Sequence, residues 1–339
     1  MKLLILTQAV NTSDPGLGFF HEWIARFAAR FDAVSVVCLF EGTHALPENV
    51  RVYSLGKERG RRSRLTYAAR LLRLAWQLRG EYDTVFVHMN QEYVLLGGLL
   101  WKALGKRIYM WRNHYAGSFL TDLAAAFCSK VFCTSQHSYT AKYPRTVLMP
   151  VGVDTGLFTP DASVARKPSS ILFFARMTPS KRPEMLLEAL RALSRDGIAC
   201  TATFVGSPLP EHAAYYEQLR SRAEDEELAG RVVFLPGTSK ARAPDLYRTH
   251  GIFVNCSPSG MLDKTIFEAA ACGCVVLASS EDLKELAGED HYFESPETLA
   301  QALKRSLQAP SVNAQERMAE LARSHALRVT MDRLAEQMT

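Results

Sequence analysis

Four charged residues in the second half of the chain stand just past short apolar runs. Arg176 and Lys181 follow Ser170–Ala175 (SILFFA), and Lys264 and Glu268 follow Gly251–Val254 (GIFV). Such runs read as buried strands. Two cations in one strand-end loop, just ahead of the amphipathic stretch Glu184–Arg195, can be presented to one anion. The plain alternative is two solvated cations at a helix start. Asp263 is a good N-cap, so Lys264 falls in the first turn of a helix, where the macrodipole disfavours a cation. Glu268 is the only charge between Thr265 and Ser279. An anion at the helix N-terminus accounts for Lys264, because free backbone N–H groups and the ammonium then share a partner. A buried Glu268 needs donors, and a ribose diol supplies two. An exposed i,i+4 pair is the plainer account, and spacing alone does not choose between them.

These groups need a frame, and the chain supplies one by alternating strand and helix patterns. In the second half, strand Ser170–Ala175 leads to helix Glu184–Arg195, strand Thr201–Val205 with Gly206 behind it, and a helix near Glu211–Glu227. Strand Arg231–Leu235, a short helix near Asp245–Arg248, strand Gly251–Val254, a helix from Asp263 that stops at Gly273, and strand Val275–Ala278 follow. Asn313–Met338 is helical. Regular alternation implies a parallel sheet with right-handed crossovers. The acidic run Glu224–Glu227 lies on a helix away from any strand end, so it reads as a solvated face, and no metal site is expected.

The first half repeats the theme. Strands are expected at Lys2–Thr7, Val34–Leu39, Thr84–His88, Arg107–Arg112 and Lys130–Thr134. The turn Asp14-Pro15-Gly16-Leu17-Gly18 lies between a strand and a helix running to about Arg30, where α/β proteins approach a phosphate. A simple turn is the alternative. GLGFFH is a partial dinucleotide fingerprint with His21 in the third glycine position. His88, with Asn90 beyond it, and His114 lie at or just past strand ends. That places both imidazoles at the carboxyl edge of a parallel sheet, although a lone histidine is usually structural.

Length and charge bound what these elements can be. A chain of 339 residues, 47% apolar, suits two domains and sizeable cores. No apolar run reaches the roughly 18 residues of a membrane span. The start MKLLILTQAVNTSD reads as a first strand rather than a leader. Seven cysteines without zinc-like or redox spacing point to a reduced, cytoplasmic setting, with Cys272 and Cys274 as small buried residues. The net charge of +5 divides into +9 for residues 1–150 and −4 for the rest. The basic half suits an anionic acceptor or a negative membrane surface, or is a solvated surface with local bias. Its densest stretch, Lys57–Arg79, has Leu65, Ala68, Leu71, Leu72, Leu74 and Ala75 at helical spacing among arginines. Such a helix lies on an anionic membrane or covers a sheet.

Ser257–Ser279 (SPSGMLDKTIFEAAACGCVVLAS) resembles the nucleotide-sugar loop of glycosyltransferase family 4, the retaining group 1 enzymes of the GT-B fold. Arg176-Met177-Thr178-Pro179-Ser180-Lys181 is similar to that family's Gly-Arg-x-x-x-x-Lys motif, with Ala175 in place of the glycine. Gly152, Val153, Asp154 and Phe158 match its inter-domain linker, where Val151 replaces an asparagine. The resemblance implies two Rossmann-like doubly wound parallel-sheet domains facing across a cleft. Residues 1–150 would form the acceptor domain, completed by a C-terminal helix at about 325–339. Residues 151–324 would form the donor domain. It further implies that Arg176 and Lys181 hold the donor diphosphate and that Glu268 holds the ribose. Gly18 and Gly206 lie beside the phosphates, and Asp263, Lys264 and Thr265 form the helix N-terminus that receives them. His114 stands near the transferred sugar, with His88 and Asn90 on the acceptor side. The family's first glutamate position falls on Gly260.

The expected protein is a retaining transferase that moves sugar from a nucleoside diphosphate sugar to a hydroxyl acceptor. No cofactor or metal is expected, and no nucleic-acid partner. A glycan or lipid-linked acceptor fits, as in bacterial surface polysaccharide or glycolipid synthesis, with peripheral membrane contact through residues 57–79. Three alternatives remain open: a nucleotide-sugar 2-epimerase, a binding protein descended from the enzyme, and an NAD-dependent oxidoreductase.

Overall fold

The computed structural model describes residues 1–14, 16–225, 227–308 and 312–338. Pro15 of the glycine turn and Glu226 of the acidic run fall outside them. The chain divides into two compact units, Met1–Met149 with Met331–Thr339, and Pro150–Thr330.

The first unit is built on seven strands: β1 (Lys2–Val10), β2 (Ala33–Glu41), β3 (Val50–Ser54), β4 (Thr84–His88), β5 (Arg107–Trp111), β6 (Lys130–Cys133) and β7 (Thr146–Leu148). They run parallel in the order β3-β2-β1-β4-β5-β6-β7. The order reverses at the β1–β4 pair, which makes the carboxyl edge there a topological switch point. Between the strands lie α1 (Phe20–Ala28), α2 (Arg64–Gln77), α3 (Gln91–Ala103) and α4 (Phe119–Phe127). One core joins alternate strand residues such as Leu4, Leu6, Val85, Val87, Ile108 and Met110 to the inner sides of α2, α3 and α4. β3 and β7 were not legible as strands, being partly buried and, for β7, only three residues long.

The basic stretch departs from its sequence pattern. Gly56 and Gly60 take left-handed backbone (φ +92° and +108°), so the helix begins later, at Arg64, where the Ser63 hydroxyl caps Thr66 N–H. The helix buries Leu71 and Ala75. Leu65 and Leu72, expected on the same inner face, stand in water.

The second unit has five parallel strands: β8 (Lys167–Phe174), β9 (Thr201–Val205), β10 (Val232–Leu235), β11 (His250–Asn255) and β12 (Val275–Ala278), in the order β10-β9-β8-β11-β12. Around them lie α5 (Pro183–Arg195), α6 (Ala213–Ala223), α7 (Ala243–Thr249), α8 (Lys264–Ala271), α9 (Glu281–Ala287), α10 (Pro296–Gln308) and α11 (Val312–Ser324). Alternate residues of β8 and β11 feed two cores. Ile171, Phe173, Ile252 and Val254 face one, and Leu172 and Phe253 the other. Here the order reverses between β8 and β11. α11 ends before His325, whose carbonyl accepts from Gly152 and Val153 N–H, and α12 (Leu327–Met338) follows. The outer part of α12 belongs to the first unit, where Arg30 bonds Asp332 and the Tyr109 hydroxyl bonds the Met338 carbonyl (3.3 Å). The seven cysteines are free and buried; the Cys274 thiol donates to the Tyr247 carbonyl (3.0 Å).

Candidate functional site

The switch point of the second unit gathers the residues singled out in its sequence. β8 ends in the loop with Arg176 and Lys181, and β11 ends in the loop that leads to α8. Lys181 sits in a short 3-10 turn, Pro179–Lys181, and is 9% exposed. Its ammonium donates to one Asp263 carboxylate oxygen (2.6 Å) and to the Ser257 hydroxyl (3.1 Å). The same Asp263 oxygen also accepts from Ser257 (2.5 Å) and from the Asn255 amide (3.2 Å). Burial pushes the Asp263 carboxyl up, but the Lys181 charge and the bonds from Lys181, Ser257 and Asn255 together hold it below the ordinary carboxylate value.

This pairing has two consequences. The Asp263 side chain does not cap α8. The first turn of that helix therefore has no side-chain cap, although within it the Ile266 N–H donates to the Asp263 carbonyl (3.2 Å). Lys181 spends two of its three N–H donors inside the protein and keeps one. Arg176 is exposed, and its guanidinium makes no bond among the described residues. Lys264 reaches the Gly152 carbonyl (3.1 Å), and Thr265 lies 3.4 Å from the Asn255 amide.

Glu268 is one turn further along α8. The Tyr247 hydroxyl donates to it (3.2 Å). Burial outweighs the attraction of Lys264 and the Tyr247 bond, so its carboxyl sits above the usual value. Tyr247 is itself pushed well up by burial and by Glu268, so it stays a neutral donor. Spacing did not reveal Tyr247, Ser257, Asn255 or Arg182 as members of this cluster. Arg182 takes a left-handed backbone (φ +48°) and donates to the Cys256 carbonyl and the Ser279 hydroxyl, both at 2.6 Å. It ties the β8 loop to the β11 and β12 loops. Its signal was the second cation beside Lys181.

Gly206 and Gly260 are glycines for backbone reasons. A Cβ on Gly206 would stand 1.8 Å from the Ala175 carbonyl oxygen, so side chains are excluded where the β8 and β9 loops touch. Gly260 has φ +88°, and Leu262 two residues on has φ +29°. The loop therefore follows a path that disfavours a glutamate at 260. Its N–H faces the Asp282 carboxylate at 3.5 Å.

The candidates of the first unit are arranged differently. His88 is 2% exposed, stacks on Phe20 (3.8 Å between centroids, 7° between planes) and lies 3.3 Å from the Thr7 hydroxyl. It is a packed residue beneath the sheet edge. The turn beyond it is strained, with Met89 at φ +67°. Asn90 accepts from Gln8 (2.8 Å). His114 is half-buried, stacks on Tyr115 and accepts the Ala116 N–H at Nδ1 (2.9 Å). Burial, then Arg112, lower its pKa, which favours the neutral ring. Gly18 closes its own turn: a Cβ there would meet the Asp14 carbonyl oxygen at 2.7 Å. Among the described residues, no group of three or more His, Cys, Asp or Glu is gathered to hold a metal ion. Nor is any helix among them long and apolar enough to cross a membrane.

Residues 168–309 match the family model described as Glycosyl transferases group 1. That span holds both cation motifs, Gly206 and all of α8. The matched span lies within the second unit. A D-inositol 3-phosphate glycosyltransferase of Mycobacteroides abscessus is 32% identical over 137 residues, covering 38% of this chain and 30% of that protein. The chain spans about a third of the length of the curated relatives it matches first. Anabaena Alr3699/HepE, solved with UDP-glucose, superposes with a TM-score of 0.78 at 21% identity, over 100% of this chain and 99% of the other. An α,α-trehalose-phosphate synthase from Burkholderia xenovorans, solved with glucose-6-phosphate, superposes with a TM-score of 0.70 at 14% identity, over all of both chains. The fold is GT-B, and the span that matches the group 1 model lies in its second Rossmann-like half.

Proposed function

We propose that the protein transfers a sugar, with retention of configuration, from a nucleoside diphosphate sugar to a hydroxyl acceptor, with no resident metal. The observation that carries this is the Lys181–Asp263 pair beside the uncapped start of α8, at the switch point of the matched unit. Cleavage of the bond between the sugar and the diphosphate moves negative charge onto the leaving diphosphate, while the acceptor oxygen forms the new bond and gives its proton to that diphosphate. The remaining Lys181 donor, the exposed Arg176 guanidinium and the start of α8 would meet that charge. A single donor of this kind contributes about 3 kcal/mol to a transition state. Glu268, with Tyr247 fixing one of its oxygens, has acceptor capacity left for a ribose diol. HepE was solved with UDP-glucose, which makes UDP the first nucleotide to try. The phosphorylated acceptor in the mycobacterial relative's name favours an anionic or glycan acceptor for the basic first unit.

The test is thermal stabilisation by UDP, GDP, ADP and CMP and their sugar conjugates. A ligand at 100 times its dissociation constant stabilises by about 2.7 kcal/mol. Stabilisation by one nucleoside diphosphate, abolished in Lys181→Ala, supports the site. Failure of every nucleotide to stabilise the protein refutes it. Product stereochemistry, read by NMR on the first acceptor that turns over, then tests retention.

A further inference from the structure

One layer of the first unit shows water an unusual surface. Helices α2, α3 and α4 pack on the same face of the sheet, through Leu71 and Ala75, through Val94 and Trp101, and through Ala124 and Ala125. Their outer sides should then be polar. Instead, α2 exposes Leu65, Leu72 and Trp76, which recur at helical spacing. α3 exposes Leu96 and Leu99, and α4 exposes Phe119, Leu120 and Leu123. Among the described residues, these three helices carry eight of the fourteen large apolar side chains left in water. Three are nearly bare: Leu65 is 82% exposed, Phe119 75% and Leu99 72%.

The charge on this layer is not neutral. Exposed Arg64 and Arg73 share α2 with the apolar stripe, Arg61 and Arg62 precede it, and Lys102 stands on the outer side of α3. The Arg79 guanidinium lies over the Trp76 ring at 4.4 Å. Acids are few. Glu92 is exposed at the start of α3, and Asp122 on α4 is engaged by Lys142, Tyr139 and Tyr143.

We infer that the outer face of α2, α3 and α4 docks onto an anionic lipid bilayer, with apolar side chains in the interface and arginines on the headgroups. Large apolar exposure marks a covered surface. Its combination with arginines selects anionic lipid, because each cation gains from the negative surface while Leu, Phe and Trp gain from the acyl boundary. Residues 57–79 alone are too narrow a description. Most of the apolar area comes from α3 and α4, which carry no basic run in the sequence.

The test is flotation of the full chain with vesicles. The readout is partition, so it does not depend on any donor or acceptor. With equal parts phosphatidylglycerol and phosphatidylcholine the protein should float, and with phosphatidylcholine alone it should stay below. Arg64→Gln with Arg73→Gln should lower partition about thirtyfold. Leu99→Gln with Phe119→Gln should lower it at least as far, with an unchanged melting temperature, because both side chains are already in water. Equal flotation with both lipids, no flotation, or wild-type partition by the apolar variant overturns the inference. So does a concentration-dependent dimer that the apolar variant dissociates, since the face would then join two copies of the chain.

Discussion

The two carboxyl edges make opposite use of their polar residues. In the second unit, Lys181, Ser257 and Asn255 converge on one Asp263 oxygen, and Tyr247 fixes Glu268 one turn away. Two carboxylates, one just before a short helix and one within it, are pushed in opposite directions, Asp263 down and Glu268 up. In the first unit, His88 has been absorbed into aromatic packing, while His114 is held by the backbone two residues on. The lesson is that equivalent strand-end positions do not imply equivalent roles. The second edge is held by a buried ion pair, the first by a stacked ring and a half-buried one.

Lys181→Ala should break this contrast most severely. It leaves Asp263 without its countercharge and costs about 3 kcal/mol, toward the low end for a buried pair because both side chains keep some solvent (11% and 19%). Denaturant unfolding measures the loss. Adding Asp263→Asn should return most of the stability but not nucleotide binding; if binding returns, Lys181 does not contact the diphosphate. Arg176→Ala has no internal partner to orphan, so stability should hold while turnover falls about a hundredfold. Glu268→Gln should lower turnover far less than either. His88→Ala should show the reverse, losing about 2 kcal/mol of stability with unchanged affinity for the nucleotide. Gly260→Glu should cost about 1 kcal/mol, a consequence of its left-handed backbone, and should not improve catalysis.

The smallest effect is in the pH dependence of stability. Asp263 is depressed when folded, so it contributes stability above its unfolded value near 3.8 that is lost as pH falls through the lower folded value. Glu268 is raised, so its contribution is present below 4.5 and is lost as pH rises through the higher folded value. Asp263→Asn should flatten the acid limb. Glu268→Gln should remove the decline above pH 4.5 and leave the protein equally or more stable at neutrality. Urea midpoints across the range check both.

Much of the second unit's carboxyl edge was legible because its signals are local. The run before Arg176, the helix start at Asp263 and the stop at Gly273 each lie within a few residues of what they mark, although the Asp263 side chain pairs with Lys181 instead of capping the helix. Tyr247 and Ser257 were not legible as partners, because neither carries a charge or completes a motif: Tyr247 reaches Glu268 from the preceding helix, and Ser257 reaches Asp263 from within the same loop. The glycine at 206 was legible as a residue type, but the reason the structure gives is the carbonyl of Ala175. α2 misled most: it carries leucines on both sides, so spacing could not say whether Leu71 or Leu72 faces the sheet. Packing settled that for Leu71.

The buried cysteines give the molecule a built-in record of its own opening. Burial holds the thiols of Cys38 and Cys128 up at about 12 and that of Cys274 up at about 11, so the folded protein presents almost no thiolate to an alkylating reagent. Cys38, Cys128 and Cys133 belong to the first unit, and Cys200, Cys256, Cys272 and Cys274 to the second. Pulse alkylation read by mass spectrometry would therefore time the two halves separately. A sugar nucleotide that stabilises only its own half would slow labelling of the later four and leave the earlier three at their unliganded rate.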